Sequence, residues 1–198
     1  MGDEWFYKIQ KSGIFALFHM THISNLEGIF THGILSNHEA HHRQLIASDI
    51  SDPSVQCLRD KLDPRYNRPI HAYVPLYLNP RNPMLYVRKE MQEKICILEV
   101  SVSILEENEY LFTDGNAAAH DTQFFCNLDQ LHLLPWDVLK SKFWNDFTDG
   151  KRKRCAEFLI FPSISAEYIM RMHFINDRAS SQVRSFGLPR KISPTIFF

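Results

Sequence analysis

The sequence predicts an α+β fold in one domain. Segments with the alternating pattern of strands and segments with helical spacing follow one another without a regular βαβ repeat. The composition, 44% hydrophobic and 13% aromatic over 198 residues, excludes disorder and is sufficient for a buried core. The chain has no internal repeat, low-complexity segment or Gly/Ser-rich linker, so we expect a single domain over residues 1–198.

Capping signals predict the first elements. A strand over residues 17–21 precedes a helix that Ser24 caps, with Glu27 as the returning half of a capping box. Gly33 is a natural end for this helix. Gly28 lies inside it at some cost in helix propensity, which suggests that another group approaches the backbone closely there.

Periodicity and turn residues predict the remaining elements. We expect strands over residues 70–78, 95–102, 110–113, 155–161, 172–175 and 194–198, and helices over residues 52–61, from 82 onward, over 121–131, over 135–144 and near 166. The polar, histidine-rich stretch over residues 36–51 has little periodicity, and no regular element is predicted there.

The composition also excludes some functional classes. The four cysteines have no metal-binding spacing, and the histidines at positions 38, 41 and 42 lack a set of partners at ligand spacing, so we expect no metal. No run approaches the ~18 apolar residues of a membrane span, and the amino terminus lacks the regions of a signal peptide. We therefore expect a cytoplasmic protein without membrane contact and with reduced thiols.

One acid lies in an apolar segment. Glu157 interrupts residues 155–161 (CAEFLIF), which otherwise have the pattern of a buried strand. Because a desolvated carboxylate needs a partner or a chemical role, Glu157 is a candidate catalytic residue, with a structural ion pair as the alternative. We expect Glu157 to contribute to catalysis and little to folding.

The charge is unevenly distributed along the chain. The net charge is −1, but bases concentrate at residues 59–68, 151–154 and 171–191, and acids at residues 90–109. Such segregation can build a basic face that binds nucleic acid on a nearly neutral protein. A solvated surface is the alternative for each cluster.

Several stretches together resemble the DarT family of DNA ADP-ribosyltransferase toxins, and the resemblance covers nearly the whole chain. They are residues 19–26 (HMTHISNL), 71–77 (HAYVPLY), 79–86 (NPRNPMLY), 112–114 (FTD), His120 with Phe124 and Phe125, and 153–159 (KRCAEFL). Each is a weak motif alone. Their joint occurrence, in order and at suitable spacing, is specific.

The resemblance implies an ADP-ribosyltransferase fold of two small packed sheets with NAD held in the cleft between them. NAD would be the substrate that donates ADP-ribose to a base in single-stranded DNA, and a DarG-like macrodomain antitoxin would reverse the modification. Thymine is the expected acceptor, because Arg59 and residues 71–75 match the thymine-modifying branch best; guanine in DNA, or RNA, are the alternatives. Asn79 and Asn82 depart from relatives, so no DNA sequence preference is carried over. We expect a monomer.

The resemblance also assigns roles to individual residues. The cofactor-binding residues would be His19, Met20, Thr21, Gly28, Ser36, Arg59 and Tyr77, with residues 39–61 as the NAD-covering element. The DNA-binding residues would be Arg81, His120, Lys151, Arg152, Lys153 and Arg154, with residues 113–157 as the substrate-recognition loop region. The catalytic residues would be Glu157 and Arg59.

The chemistry suits these two catalytic residues. Breaking the glycosidic bond of NAD develops positive charge on the ribose, which the Glu157 carboxylate would stabilise. A protonated thymine imide nitrogen is a poor nucleophile, and the permanently charged Arg59 would stabilise its anion. The alternative for Arg59 is a helix-edge salt bridge with Asp52, Asp60 or Asp63.

Two interpretations from other classes compete with this one. A non-catalytic module that binds NAD or single-stranded DNA is disfavoured, because both Glu157 and Arg59 are present. A protein-directed ADP-ribosyltransferase would need no basic groove, so the salt dependence of DNA binding separates it from a DNA-modifying enzyme.

Overall fold

The computed structural model describes residues 2–50 and 57–198, so the predicted start of a helix at Asp52 and Pro53 lies outside the described residues.

The strands among the described residues are β1 (Leu17–His22), β2 (Ile34–Leu35), β3 (Val74–Tyr77), β4 (Ile95–Val100), β5 (Glu109–Thr113), β6 (Phe124–Phe125), β7 (Glu157–Phe161), β8 (Ser163–Ile164), β9 (Ile169–Phe174) and β10 (Arg190–Ile192). The α-helices are α1 (Gly2–Lys11), α2 (Leu26–His32), α3 (Asn37–His42), α4 (Pro83–Tyr86), α5 (Ile104–Glu107), α6 (Trp136–Lys140), α7 (Gly150–Lys153) and α8 (Asp177–Ser181). Six 3₁₀ segments cover Ile23–Asn25, Ile70–Ala72, Lys89–Lys94, Leu128–Leu133, Trp144–Asp146 and Ala166–Tyr168.

Eight strands form one sheet in the order β10-β9-β4-β1-β3-β7-β5-β6, and β2 pairs with β8 in a separate two-stranded sheet. Every pairing in the large sheet is antiparallel except that of β10 with β9. Helices and strands are mixed without a regular βαβ repeat, since the one parallel pairing among the described strands of this sheet joins β9 to β10 across α8, and this confirms the predicted α+β class. The strands divide unequally, however, into a large and a small sheet.

The central strands carry the core. Four successive residues are buried at the start of β4, and four at the start of β7. Continuous burial of this kind occurs where a sheet is covered on both faces. The strand β7 lies between β3 and β5, so the acid at its first position, Glu157, is held by backbone pairing on both sides.

The predicted capping box around Ser24 is wrong. Ser24 lies in a 3₁₀ turn, where the His22 Nδ1 accepts its backbone N–H at 3.2 Å, and α2 starts only at Leu26. Gly33 ends α2 as predicted, at φ 84°. A Cβ at this position would lie 2.5 Å from the carbonyl oxygen of Ile164, so glycine is required by both conformation and space.

The predicted helix over residues 121–131 is also wrong. Phe124 and Phe125 form β6, which pairs with β5 through Thr113 and Phe112, because two β-prone aromatic residues complete the edge of the sheet. The predicted helix over 135–144 is shortened to α6. Conversely, the stretch over 36–51 contains α3, which the Ser36 hydroxyl caps.

The carboxyl-terminal segment is docked, as expected, but not as a strand. Phe197 is buried and packs with Met20, Ile50, Leu85, Ile95 and Ile97. The edge strand is instead β10, earlier in the chain. Within the described residues, no helix is long and apolar enough to cross a bilayer.

We predict that Phe197→Ala lowers the free energy of unfolding by about 3–5 kcal/mol, because it leaves a cavity in this cluster. Phe15→Ala is the matched control: Phe15 is 72% exposed, and its loss should cost less than about 0.5 kcal/mol. Urea unfolding followed by circular dichroism measures both. Equal stability of the two variants would show that the terminal segment is not part of the core.

Candidate active site

The carboxylate of Glu157 is fully buried at the head of β7. The residue is 1% exposed, and it lies opposite Tyr77 across the β3–β7 pairing. Its backbone N–H donates to the Thr113 hydroxyl at 3.3 Å. The backbone is therefore fixed on both sides of the reactive group, which favours a rigid carboxylate.

Three donors converge on this carboxylate. Arg59 donates through both terminal nitrogens, Nη1 to Oε1 and Nη2 to Oε2, each at 3.3 Å. The backbone N–H of Ala117 donates to Oε1 at 2.9 Å. The result is a two-point ion pair with an additional hydrogen bond, which is the arrangement that a buried carboxylate requires.

The electrostatics of the site follow from this burial. Burial by itself lowers the pKa of Arg59, but the adjacent Glu157 carboxylate outweighs it and holds that pKa above its ordinary value. Burial first, and then Glu157, raise the pKa of Tyr77. Arg59 is therefore a fixed cation and Tyr77 a neutral phenol at any physiological pH.

The helix-edge salt bridge considered for Arg59 is absent for the two described acids. Asp60 instead lies 3.6 Å from His71 Nε2. The carboxylate of Asp63 accepts three backbone N–H groups, from Arg65, Tyr66 and Arg68, and the Tyr73 hydroxyl. Asp63 therefore fixes a tight turn and is not available to Arg59.

This turn positions Arg59. Beyond it the chain runs back alongside itself: the His71 N–H donates to the Arg59 carbonyl at 3.2 Å, and the Ile70 N–H donates to the Lys61 carbonyl at 3.1 Å. These hydrogen bonds hold the backbone on which the guanidinium is carried. Tyr73, which bonds to Asp63, is 1% exposed and belongs to the core.

A cavity opens on the other side of Arg59. Six of the residues expected to bind NAD line it: His19, Met20, Thr21, Gly28, Arg59 and Tyr77. Ser36 does not line it, because its hydroxyl caps α3 by accepting the Glu39 N–H. Glu157 is not among the lining residues either and lies behind Arg59.

His19 is prepared as a hydrogen-bonding group in this cavity. Its Nδ1 lies 3.1 Å from the carbonyl oxygen of Pro75 and must carry a proton to bond there. Burial lowers the pKa of His19, so the ring is neutral and its Nε2 is an acceptor. An acceptor of this kind suits a sugar hydroxyl.

The described part of the segment over residues 39–61 contributes six residues between positions 40 and 50 to the lining of the cavity. Asn25 attaches this segment to β1: its Oδ1 accepts the N–H groups of Ala47 and Ser48, and its Nδ2 donates to the Ser48 carbonyl. Beside Gly28, an added Cβ would lie 3.7 Å from the Leu45 carbonyl oxygen, which is an ordinary van der Waals contact, so α2 packs against this segment. Both apolar and polar side chains line the cavity.

The residues expected to bind DNA are in different environments. His120 is fully exposed at a loop tip and Lys151 is exposed on α7. Arg152, by contrast, is paired with Asp114 and Asp149. Its charge is therefore compensated within the protein.

Arg154 does not belong to an exposed basic cluster, contrary to the prediction for residues 151–154. It is 2% exposed, and its guanidinium donates to the carbonyl oxygens of Arg81, Val138 and Ser141 at 2.7–2.9 Å. It holds three segments together and cannot reach a phosphate in this structure. Lys153 donates to the Thr148 carbonyl at 3.3 Å.

Arg81 stands on an aromatic platform. Its guanidinium carbon lies 3.9 Å from the centre of the Phe198 ring, which in turn makes edge contacts with Tyr86 and Trp144. No carboxylate of the described residues lies within ion-pair distance of Arg81. Tyr86 of this platform belongs to α4, and Met84 of the same helix lines the cavity.

Sequence reasoning missed several groups that build the site. They are Asn25, Lys61, Asp63 and the backbone N–H of Ala117. Asn25 lies inside a family motif, and that placement was the one available signal. The others act through backbone groups, which leave no pattern in a sequence.

The comparison with known families agrees with this geometry. The family model described as "DarT: ssDNA thymidine ADP-ribosyltransferase, DarT" matches residues 18–196. Because the match covers most of the chain, the protein belongs to the DarT family of single-stranded-DNA thymidine ADP-ribosyltransferases.

Individual relatives are more distant. A DNA ADP-ribosyl transferase–DNA ADP-ribosyl glycohydrolase fusion protein of Thermosipho africanus is 29% identical over 190 residues, with 92% of this chain and 49% of that protein covered. The chain thus spans about half the length of that relative.

Two solved structures share the fold. Thermus sp. 2.9 DarT in complex with ADP-ribosylated ssDNA has a TM-score of 0.83 at 24% identity, covering 94% of this chain and 97% of that chain. The same Thermus protein in complex with NAD+ has a TM-score of 0.77 at 23% identity, covering 93% and 98%. The likeness therefore extends over nearly the whole of both chains.

The ion pair argues against the expectation that Glu157 contributes little to folding, because removal of one partner leaves the other charge buried. We predict that Glu157→Ala lowers the free energy of unfolding by about 3–5 kcal/mol, because Arg59 is left buried without its partner. Glu157→Gln keeps an acceptor for Arg59 and for the Ala117 N–H, and should cost less. Glu106→Ala, at an exposed acid, is the control. Equal stability of the two Glu157 variants in urea would contradict a stabilising pair.

Proposed function

We propose that this chain transfers ADP-ribose from NAD to a thymine base in single-stranded DNA, as the toxin of a toxin–antitoxin pair. The observation that carries the proposal is the buried carboxylate of Glu157 in its ion pair with Arg59. Arg59 lines the cavity that a dinucleotide would occupy. Membership of the DarT family supports the same chemistry.

The donor would occupy the cavity beneath the covering segment. His19 Nε2 would accept a hydrogen bond from a ribose hydroxyl, and the close backbone at Gly28 would lie against the cofactor. Met20, Thr21 and Tyr77 would form the wall on either side. The Thermus structure in complex with NAD+ supports a cavity of this kind in this fold.

Glu157 would act at the step in which the glycosidic bond breaks. That bond's electron pair leaves with nicotinamide, and positive charge develops on the ribose carbon. A fixed carboxylate in a water-poor site stabilises such charge strongly. Arg59 now occupies the carboxylate, so the pair must loosen for Glu157 to reach the ribose.

Arg59 would then serve the acceptor. The imide nitrogen of thymine forms the new bond to the ribose carbon and releases its proton to the solvent, so negative charge passes through the base. The Arg59 guanidinium, once released from Glu157, would stabilise that charge. Because Arg59 is buried, water would not replace the guanidinium as the partner of the anion. A raised pKa makes Arg59 an electrostatic partner more than a proton acceptor.

The test is incubation with NAD and labelled single-stranded oligonucleotides, with and without thymine, followed by mass spectrometry. We predict an added ADP-ribose only on thymine-containing strands. Arg59→Ala should reduce this transfer far more than the slow release of free ADP-ribose, because water needs no imide deprotonation. Arg59→Lys should not restore transfer fully, since a point charge cannot reproduce a planar two-point donor.

Other results would change the proposal in specific ways. Modification of guanine, RNA or protein would redirect the substrate class. Equal losses of transfer and hydrolysis in Arg59→Ala would make Arg59 a group that binds the donor and leave the acceptor's partner unassigned. Absence of any ADP-ribosylated product from the wild-type protein would refute the activity.

The DNA strand would follow the basic side chains at the surface. Arg81, Lys151 and His120 are the candidates that reach solvent, and Tyr86, 46% exposed, offers a ring on which a base can stack. Arg152 and Lys153 would add to the field, although Arg152 is already paired.

We predict that Arg81→Gln and Lys151→Gln each weaken binding to an oligonucleotide and reduce its salt slope by about 0.7 for each phosphate that is no longer neutralised. Fluorescence anisotropy without NAD, over a salt series, measures this. Lys11→Gln, at an exposed position of α1, is the charge-matched control, and NAD affinity should not change. Unaltered slopes in both variants would place the DNA strand on another face.

A partner follows from the same proposal. A DarG-like macrodomain that removes ADP-ribose from DNA would act as the antitoxin, and the name of the Thermosipho fusion protein supports such a pairing. We further propose that the chain acts as a monomer in the cytoplasm. We also propose that residues 1–198 form a single transferase domain.

A further inference from the structure

Lys61 closes a ring of contacts around the candidate site. Its Nζ donates to the carbonyl oxygen of Ala119 at 2.7 Å. In the same loop as Ala119, the Ala117 N–H donates to the Glu157 carboxylate. In the same segment as Lys61, the Arg59 guanidinium donates to that carboxylate as well. The ring therefore joins three segments: the one carrying Arg59, the loop over residues 114–123, and β7.

Besides its bond to Ala119, the Lys61 ammonium lies 5.5 Å from the centre of the Phe124 ring, at the carboxyl-terminal end of the same loop. Lys61 is half-buried, and no carboxylate of the described residues lies within ion-pair distance of its ammonium. Burial, and then the neighbouring Arg59 cation, lower the pKa of Lys61. Two cations thus face one buried carboxylate, which leaves excess positive charge beside the site. Perturbed groups of this kind concentrate at functional sites.

The loop that Lys61 holds has a fixed base and a free tip. At the base, Arg152 binds the Asp114 carboxylate at 2.8 Å, and the Asn116 N–H donates to the Arg152 carbonyl at 3.0 Å. At the tip, the His120 side chain is fully exposed. Between the two, the contacts from Lys61 and to Glu157 attach the loop to the catalytic pair.

We propose that Lys61 is a positioning residue that couples the loop over residues 114–123 to the Arg59–Glu157 pair, and thereby favours transfer to the acceptor base over hydrolysis of NAD. This inference rests on the proposed function, because it concerns which acceptor reaches the ribose carbon. A base must be held in line with that carbon, whereas water needs no support from the loop. Misplacement of a base by about 1 Å can lower its rate of reaction by about 100-fold.

The first experiment measures both products at saturating NAD. Lys61→Met, which keeps the length of the side chain without its donors, should lower formation of ADP-ribosylated DNA by about 10-fold. Release of free ADP-ribose without DNA, and the KM for NAD, should stay within about 2-fold of wild type. Lys61→Arg should recover most of the transfer, because it restores a charged donor. Lys11→Met is the control for loss of a lysine.

A second measurement does not depend on activity. In Lys61→Met, hydrogen exchange of amides in residues 114–123, that of Ala117 above all, should be faster than in wild type while β4 stays protected. Unchanged protection of Ala117 would overturn the proposal even if the wild-type protein modified no DNA. Equal losses of transfer and hydrolysis, or no loss of either, would overturn it as well. Failure of the wild type to form any product would refute only the proposed activity.

Discussion

The ion pair between Arg59 and Glu157 is the contact on which the site depends. The two residues are 98 positions apart, and each is nearly inaccessible to water. Removing both charges from water is costly, and their attraction offsets that cost only when the remaining hydrogen-bonding capacity is also satisfied. The Ala117 N–H supplies the third contact. The segments that bring these groups together are therefore constrained by one carboxylate.

The sheet explains why such a site can be rigid and reactive at once. Glu157 begins a strand that is paired on both sides, so its backbone has no freedom to relax around the charge. Arg59 lies just before a turn that Asp63 fixes with four hydrogen bonds. The contact between the two side chains is not fixed by backbone pairing, and in the proposed reaction donor binding would change that contact before the carboxylate met the ribose.

The basic residues fall into two groups: those whose charges are satisfied within the protein, and those that stay at the surface. Arg154 satisfies backbone carbonyls in the interior, and Arg152 neutralises two acids at the base of a loop. Arg81 and Lys151 keep their charge at the surface. The run of four basic residues therefore spans different environments, because successive side chains of a helix point in different directions around its axis.

The sequence by itself determined the α+β class, the positions of most strands, the end of α2 at Gly33 and the family resemblance that brings His19, Arg59 and Glu157 to notice. Those features depend on local pattern and residue type, which a single chain displays directly. It could not determine that Phe124 and Phe125 complete a sheet edge, that Arg154 is buried, or that Lys61 meets Ala119. Each of these depends on a partner distant in sequence, most often a backbone carbonyl or amide that every residue carries. Only the tertiary structure selects which of those identical groups lies within hydrogen-bonding distance.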